Sequence, residues 1–395
     1  MILKMKINDE YKVKIIDNDN LGNGIAKIDN FVIFVYGALK DEIVNIRIEK
    51  IRKNYAYASI LNIEEKSINR IDVKCPYYKI CGGCDFLHTT YNNERNIKTK
   101  YLEELFKMKI NYLESHEIYN YRNKVTLHVK DNKLGFYNKN THSLCEIKNC
   151  LLLDDNINTL VNKINKLNLN GINEIMIRSI SNKLMVNIYC DGKFDINCLF
   201  DLGIDCLYAN GKHVLGEKYL IDEINDLKFT IYPESFYQVN KEGMNLIYNK
   251  AKEYVSSSDN LLDLYCGTGT IGMWLNKNAK NITGYEINSS SIKNAKLNLL
   301  MNNTNNIKFK LSDAKNVEGY YDTIIVDPPR AGLSKEVINY LNNSNANKIV
   351  YISCNPNTLK RDVNLLNNYE LKNITACDMF PRTHHVECVC VLKLR

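Results

Sequence analysis

Two residues near the end of the chain, Cys354 and Glu387, could carry out covalent chemistry together. Cys354 follows an apolar run that predicts a strand, and Pro356 stands two residues later, so the thiol is expected at the carboxyl end of that strand. Glu387 follows His384 and His385 and precedes the last predicted strand, which places its carboxylate at the same end of the sheet. A thiolate can add to an electrophilic carbon, and a carboxylate can remove a proton so that the thiol leaves again. A small buried cysteine without a chemical role is the alternative.

A glycine-rich turn between a predicted strand and a predicted helix, residues 263–272, could hold a cofactor. Gly267 and Gly269 let the backbone approach a ligand, and the N–H groups that begin the helix favour polar or anionic groups. The spacing alone also fits a dinucleotide site. Acidic residues follow each of the next predicted strands, where carboxylates can bind the ribose hydroxyls and amino groups of S-adenosylmethionine: Glu286, Asp313 and Asp327. We therefore expect S-adenosylmethionine as the ligand.

Methylation of a pyrimidine ring carbon would use all of these residues at once. Uracil C5 attacks a sulfonium methyl group only after a thiolate has added to C6, and a base must then remove the C5 proton. The target base must also leave its stack to reach the thiol. Methylation of a base nitrogen is the competing interpretation, because the motif from Asp327 to Arg330 resembles acidic-Pro-Pro motifs of enzymes that methylate planar amino groups. An RNA-binding module without catalysis is a third possibility, and a dehydrogenase is the weakest.

A group of cysteines in the first third of the chain has the spacing of a metal site. Three thiols follow the pattern Cys-x5-Cys-x2-Cys, with two glycines between the last two: Cys75, Cys81 and Cys84. Cys150, or less favourably Cys145, could supply a fourth ligand. Four thiolates bind zinc or an iron–sulfur cluster, and the unequal spacing favours the cluster. Three buried cysteines without a ligand are the remaining alternative.

Composition and patterning indicate which elements would position these residues. The 395 residues carry 45% hydrophobic and 25% charged side chains and a net charge of +7, which excludes fibrous and wholly disordered classes. The chain shows no signal peptide and no apolar run long enough to span a bilayer, so we expect a cytoplasmic protein with no membrane partner and no disulfide scaffold. Residues 1–62 predict a small closed β-barrel, residues 63–240 an antiparallel β domain with a helix near 90–112, and residues 241–395 a doubly wound parallel sheet. The last strand is expected to be antiparallel at an edge of that sheet.

These residues together resemble the RNA uracil-C5 (5-methyluridine) methyltransferase family, and most closely the bacterial 23S rRNA enzymes with a TRAM domain and a 4Fe–4S cluster. The resemblance covers nearly the whole chain, and it includes the stretches 121–124 and 235–240. It implies an α/β protein with an N-terminal TRAM barrel that is OB-like, a central antiparallel iron–sulfur domain and a C-terminal Rossmann-like methyltransferase domain. The tRNA-modifying branch commonly lacks the barrel and the cluster, so the resemblance favours 23S rRNA, with a flipped uridine, as the partner of a monomer.

The same resemblance implies a role for each site residue. Cys354 matches the nucleophile and Glu387 the base, while the cluster ligands match Cys75, Cys81, Cys84 and Cys150. The donor-binding positions match Gln238, Tyr265, Glu286, Asp313 and Asp327, beside the turn of Gly267 and Gly269. This chain departs from the family pattern at three places: Tyr265, where some members have Phe, Thr270, where some have Asn, and Ser312, where Gly is frequent.

Overall fold

The structure is a computed structural model that describes residues 5–78, 80–138, 141, 143–192 and 194–395. The chain divides into two compact units. One unit runs up to Ile110 and includes Phe380–His384, and the other consists of Asn111–Met379 and His385–Arg395. No helix among the described residues is both long and apolar enough to cross a membrane. The predicted division into 1–62, 63–240 and 241–395 stays a prediction.

Six short strands form the barrel of the first unit. Alternate residues of the longer strands are buried, as Val44, Ile46 and Ile48 are, so that one face forms a core while the other carries polar groups. The strand order is β1-β5-β6-β4-β3-β2, and because β1 continues directly into β2, one bent segment closes the sheet. The strands are β1 Glu10–Lys14, β2 Asp17–Asn18, β3 Gly24–Ile28, β4 Phe31–Val35, β5 Ile43–Ile51 and β6 Tyr55–Glu65.

One helix, α1 (Tyr91–Phe106), follows the segment that carries Cys75, Cys81 and Cys84, which we call the cysteine loop. Thr90 caps its first turn by accepting a hydrogen bond from the Asn93 N–H group. The predicted extent of 90–112 is wrong at its carboxyl end, because Lys107 adopts a left-handed conformation (φ +56°) that ends the helix. The chain then forms a strand, β7 (Asn111–Leu113), which belongs to the second unit.

A seven-stranded sheet in the order β10-β9-β8-β11-β12-β13-β14 forms the first part of the second unit. It is antiparallel as predicted except between β12 and β13, which are parallel because a connection containing a 3₁₀ helix (Ile196–Leu202) returns the chain to the same end. A hairpin of β15 and β16 follows. The elements are β8 Lys124–Lys130, β9 Lys133–Tyr137, β10 Leu144–Glu146, α2 Asp155–Ile164, β11 Ile172–Ile180, β12 Lys183–Cys190, β13 Cys206–Ala209, β14 Lys212–Gly216, β15 Leu220–Ile224 and β16 Leu227–Ile231.

An eight-stranded sheet in the order β19-β18-β17-β20-β21-β23-β22-β7 forms the rest of the unit. Strands β17 to β21 are parallel and alternate with helices, as predicted. The elements are α3 Lys241–Val255, β17 Ser258–Leu264, α4 Thr270–Trp274, β18 Ala279–Glu286, α5 Ser289–Met301, β19 Ile307–Leu311, β20 Thr323–Val326, α6 Lys335–Asn343, β21 Lys348–Ser353, α7 Pro356–Leu365, β22 Tyr369–Cys377 and β23 Glu387–Leu394; a 3₁₀ turn spans Ala314–Asn316.

The last strand, β23, is antiparallel, but its predicted place at an edge is wrong. It lies between β21 and β22, and β7 pairs with β22 beyond it. Six consecutive residues of β23, from Glu387 to Leu392, are buried, which is typical of a strand covered on both faces. The order of the sheet reverses at β17, so the carboxyl ends of β17 and β20 border the crevice where such sheets bind ligands.

Candidate active site

The register of the sheet places Cys354 beside Glu387. In the antiparallel pair of β21 and β23, Ser353 lies opposite Cys388, so one residue further along the same register Cys354 faces Glu387. The turn after β21 is fixed by the cap of α7, in which Asn355 accepts a hydrogen bond from the Asn357 N–H group (3.1 Å). Cys354 is partly exposed, whereas Glu387 is buried at 8% exposure. A thiol that a substrate can reach thus lies next to a desolvated carboxyl group.

The parallel strands bring the residues that are expected to bind the methyl donor to the edge of the sheet that also carries Cys354 and Glu387. Leu264 at the end of β17 pairs with Val326 of β20 and with Tyr285 of β18, so the next residues, Tyr265, Asp327 and Glu286, lie side by side. Tyr265 has a left-handed backbone (φ +64°), which marks the sharp turn out of the strand. Asp313 follows β19 and caps the 3₁₀ turn after it by accepting a hydrogen bond from the Lys315 N–H group (3.1 Å).

Two glycines with left-handed backbones form the turn between β17 and α4. Gly267 and Gly269 have φ values of +53° and +79°, and a Cβ at position 269 would lie 2.3 Å from the ring of Phe309. The Gly267 N–H donates to Oε2 of Glu286 (3.1 Å), and the Asn288 N–H donates to Oε1 (2.7 Å). Glu286 is therefore held in place by backbone groups and is partly exposed at the edge of the turn.

Gln238 reaches this region from the segment before α3. The backbone around it is tied to Asn123, whose N–H donates to the Val239 carbonyl (2.8 Å) and whose side chain donates to the Gln238 carbonyl (3.3 Å). Burial raises the pKa of the Tyr248 hydroxyl, and hydrogen bonds with Thr270 (3.1 Å) and the Gln238 side chain partly offset the effect. Tyr248 thus links Gln238 to the first residue of α4.

The acidic groups at this edge are strongly desolvated. Burial raises the pKa of Asp263 to about 8, of Asp327 to about 7 and of Glu387 to about 8, and the charge of Asp327 adds to the effect on both of the others. Burial, with the charges of Glu387 and Asp327, also raises the pKa of the Cys354 thiol to about 11. Arg330 is the cation that opposes these shifts at Cys354 and Glu387.

Hydrogen bonds fix the loop that carries Arg330 to the helix that follows Cys354. The Arg330 carbonyl accepts hydrogen bonds from the side chains of Asn355 (3.2 Å) and Thr358 (3.3 Å). Fully buried Asp362 accepts from the Leu333 N–H (2.8 Å) and from the Tyr351 hydroxyl (2.7 Å), and so joins the loop to β21 and α7. The cation and the thiol consequently keep a fixed relation.

Comparison with known proteins identifies this arrangement. Three family models match: a TRAM domain over residues 4–61, a methyltransferase small domain over 241–345 and a tRNA (uracil-5-)-methyltransferase family over 309–395. An RNA methyltransferase of Clostridium tetani, described as uncharacterized, is 33% identical over 99% of this chain and 97% of its own length. A Staphylococcus aureus protein of the same description is 32% identical over 98% and 99%.

A solved structure agrees with these matches. The tRNA (uracil-54, C5)-methyltransferase of Pyrococcus abyssi, in complex with S-adenosyl-L-homocysteine, has 26% sequence identity and a TM-score of 0.83 over 97% of this chain and 100% of its own. The chain belongs to the RNA uracil-C5 methyltransferase family. It is thus an S-adenosylmethionine-dependent RNA methyltransferase with a TRAM domain.

Within this family member, the residues predicted for donor binding and catalysis share one edge of the eight-stranded sheet, with Gln238 joined through Tyr248. The predicted cysteine ligands of the cluster do not lie at this edge. Cys75, Cys81 and Cys84 lie in the first unit, outside its named helices and strands, and Cys150 belongs to the second unit; each of them is partly exposed. Across the described ranges, no three His, Cys, Asp or Glu side chains are grouped to hold a metal ion. Thiols are the side chains that bind iron–sulfur clusters.

Sequence reasoning overlooked three residues that hold the methyltransferase site together. Tyr248 and Asp362 lie within helices, where nothing in their spacing distinguishes them from other helical residues. Arg330 belongs to the Pro-Pro motif in the sequence, and in the structure its charge lowers the pKa of the Cys354 thiol against the effect of burial. The motif could have indicated its position, but its partners in α7 are evident only in three dimensions.

We expect Glu387→Gln to flatten the dependence of stability on pH. With a pKa raised from 4.5 to about 8 in the folded state, Glu387 stabilises the protein fully below about pH 4.5, and this contribution is lost as the pH rises to about 8. At about 1.4 kcal/mol per pH unit, the wild type loses a few kcal/mol of unfolding free energy that the variant keeps. Urea unfolding at several pH values in this window measures the slope. Exposed Glu253→Gln should retain the wild-type slope, and parallel profiles for Glu387→Gln would contradict the assignment.

Proposed function

We propose that this chain methylates C5 of uracil in RNA, with Cys354 as the nucleophile and Glu387 as the base. The observation that carries the proposal is the register that sets Cys354 opposite Glu387 at the sheet edge that also carries the glycine turn. Methylation of a nitrogen requires neither a thiolate nor a second base at this place. Membership in the family agrees with this choice.

The reaction divides between the two residues. The Cys354 thiolate forms a bond to C6 of uracil, and the electron pair of the C5–C6 double bond moves to give an enolate. S-adenosylmethionine would supply the methyl group: the electron pair of the enolate forms the C5–methyl bond as the bond between the methyl carbon and the sulfonium sulfur breaks. Glu387, which with a pKa of about 8 must first be in its carboxylate form, then accepts the proton of C5, the double bond re-forms, and the S–C6 bond breaks to release the thiolate. Because the Cys354 pKa is about 11, the thiol is mostly protonated near pH 7, and the charge of Arg330 favours the thiolate that the first step needs.

The proposed donor-binding residues surround the glycine turn. Glu286, held by two backbone N–H groups, would accept hydrogen bonds from ribose hydroxyls with its remaining lone pairs. Asp313, Asp327, Tyr265 and Gln238 would bind the base and the amino-acid part of the donor. Gly267 has no atom within 4 Å of the position of a Cβ, which leaves space in which the methyl donor would approach the backbone, whereas Gly269 is needed for the close packing of Phe309.

Glu387→Gln should accumulate a covalent RNA–protein adduct that resists denaturant. Gln cannot accept the C5 proton, so the methylated intermediate stays bonded to Cys354, and turnover should fall at least about 100-fold, the usual size of a lost general base. Denaturing electrophoresis with labelled RNA detects the adduct. Cys354→Ala should form none and should be inactive; full activity in that variant would refute carbon methylation and favour a nitrogen target.

For the RNA we propose 23S rRNA. This choice is supported by the resemblance of the TRAM barrel and the cysteine array to the bacterial 23S rRNA enzymes. The barrel offers a surface for unstacked bases, where Tyr36 and Tyr57 stack in parallel with ring centroids 5.4 Å apart and Tyr36 is 40% exposed. A tRNA substrate is the second candidate, favoured by the likeness to the Pyrococcus abyssi tRNA enzyme.

Mapping of 5-methyluridine in a strain lacking the gene separates the two RNAs. We expect the modified nucleoside to disappear from 23S rRNA digests and to remain in tRNA, as measured by nucleoside mass spectrometry. Complementation with the wild-type gene should restore it, whereas the Cys354→Ala gene should not. Loss from tRNA alone would overturn the ribosomal assignment and leave the chemistry intact.

We also propose that Cys75, Cys81, Cys84 and Cys150 hold a 4Fe–4S cluster. The support lies in the ligands, because three thiols within ten residues suit iron–sulfur ligation, and a Cβ at Gly83 would lie only 3.5 Å from the Cys81 sulfur. Anaerobically purified protein should be brown, with about four iron and four sulfide per chain. Cys81→Ser should lose the colour, and Cys198→Ser, also partly exposed, should keep it. A colourless protein with stoichiometric zinc would contradict the proposal.

A further inference from the structure

We infer that Arg382 is a positioning residue for Glu387, since it anchors the connection between β22 and β23 to the cysteine loop and α1. The inference rests on the proposed role of Glu387 as the base. The connection leaves the eight-stranded sheet after Cys377 and returns to it at Glu387. Its middle, Phe380–His384, has its contacts in the first unit although more than 270 residues separate it from α1.

The side chain of Arg382 is enclosed by the segment that follows the cysteines. It is 1% exposed, and one guanidinium nitrogen, Nη2, donates to the carbonyls of Phe86 (2.5 Å) and Thr89 (2.8 Å). The other, Nη1, lies 3.2 Å from Oε2 of Glu94, which is fully buried in α1. A buried guanidinium with these three contacts is expensive to displace.

The backbone of Arg382 is fixed as firmly as its side chain. Its N–H donates to Oε1 of Glu94 (2.8 Å), and its carbonyl accepts from the N–H groups of Asp85 (3.0 Å) and Phe86 (3.1 Å). Arg382 also has a left-handed conformation, with φ of +69°. A non-glycine residue keeps that conformation only where its surroundings impose it, so these contacts determine the path of the connection.

Further contacts connect the anchor to the cysteine loop and to α1. Asp85, the residue after Cys84, accepts hydrogen bonds on Oδ2 from the His384 N–H (3.0 Å) and lies 2.7 Å from His384 Nδ1. Lys98, 1% exposed, donates to Oε1 of Glu94 (2.8 Å), which neutralises part of the buried charge. The cysteine loop and the connection that leads into Glu387 are thus parts of one hydrogen-bonded assembly.

This arrangement predicts that loss of Arg382 impairs one step of the reaction and not the other. Cys354 is held by β21, α7 and Asp362, none of which belongs to the 380–384 segment. Glu387 is the first residue of its strand: its pairing with Cys377 fixes the strand, and the segment before it fixes the path by which the chain reaches Glu387. Loss of Arg382 should therefore slow removal of the C5 proton while leaving bond formation by Cys354 nearly unchanged.

The test compares Arg382→Met with Arg70→Met. Arg70 makes a matched interaction in the same unit, donating to buried Glu42 (2.7 Å) and to the Gly37 carbonyl (2.7 Å), away from the connection.

With RNA tritiated at uracil C5, quenched samples give the rate of adduct formation, and tritium release gives the rate of proton removal. We expect Arg382→Met to form adduct within about twofold of the wild-type rate, to release tritium at least about tenfold more slowly and to accumulate adduct. Arg382→Lys should recover part of the release rate, and Arg70→Met should show no change in the ratio of the two rates.

A parallel fall in both rates for Arg382→Met, or no change in either, would overturn the inference. If that variant does not fold, His384→Ala, which removes a side chain 35% exposed, serves in its place and should shift the same ratio less. The proposed function is judged separately, and it fails if Glu387→Gln gives no adduct. If the wild type methylates RNA but Arg382→Met shows no selective loss of tritium release, only the role of Arg382 is refuted.

Discussion

The structure depends on keeping several acidic groups out of water at one edge of one sheet. Asp263, Asp327 and Glu387 are all desolvated, and their charges act on one another through a medium of low polarity, so each is driven towards its neutral form. Such groups do not hold each other in place, because they repel when ionised. The surrounding fold must supply the binding energy, and it does so through strands whose cores are buried, such as β20, all four residues of which are inaccessible.

Directional hydrogen bonds then fix the loops and side chains whose orientation burial alone does not determine. The clearest case is Asp362, a buried carboxylate that joins β21, α7 and the loop after β20 through Tyr351, Arg361 and Leu333. Gly332 beside it has a φ of +77°, and a Cβ there would lie 2.4 Å from Oδ2 of Asp362, so the loop can approach only because that residue is glycine. The position of Arg330 near the thiol is thus a consequence of packing several residues away from it.

Much of the fold and site could be predicted because the chemistry lies at strand ends. An apolar run followed by Cys354, or by Asp327 and two prolines, marks where a strand stops, and parallel strands all stop at the same edge. The place of β23 within the sheet could not be predicted, because strand order depends on pairing partners distant in sequence. The end of α1 at Lys107 was missed because a lysine in a left-handed conformation gives no local signal as glycine would. Tyr248, Asp362 and Arg382 act through partners that only the folded chain brings together.

The two residues of the proposed mechanism are held in unequal ways, and the difference follows from their positions in the sheet. Cys354 follows a parallel strand and immediately precedes a helix, so local capping and the contacts of α7 fix it within a few residues. Glu387 begins an antiparallel strand after a long connection, and a carboxylate buried at that point needs its approach fixed before the strand begins. The chain supplies this restraint by enclosing Arg382 among carbonyls and a carboxylate from the segment after the cysteines. In the proposed mechanism, the cysteine loop, although remote in sequence from β21 and β23, thereby influences removal of the C5 proton without contributing an atom to the chemistry.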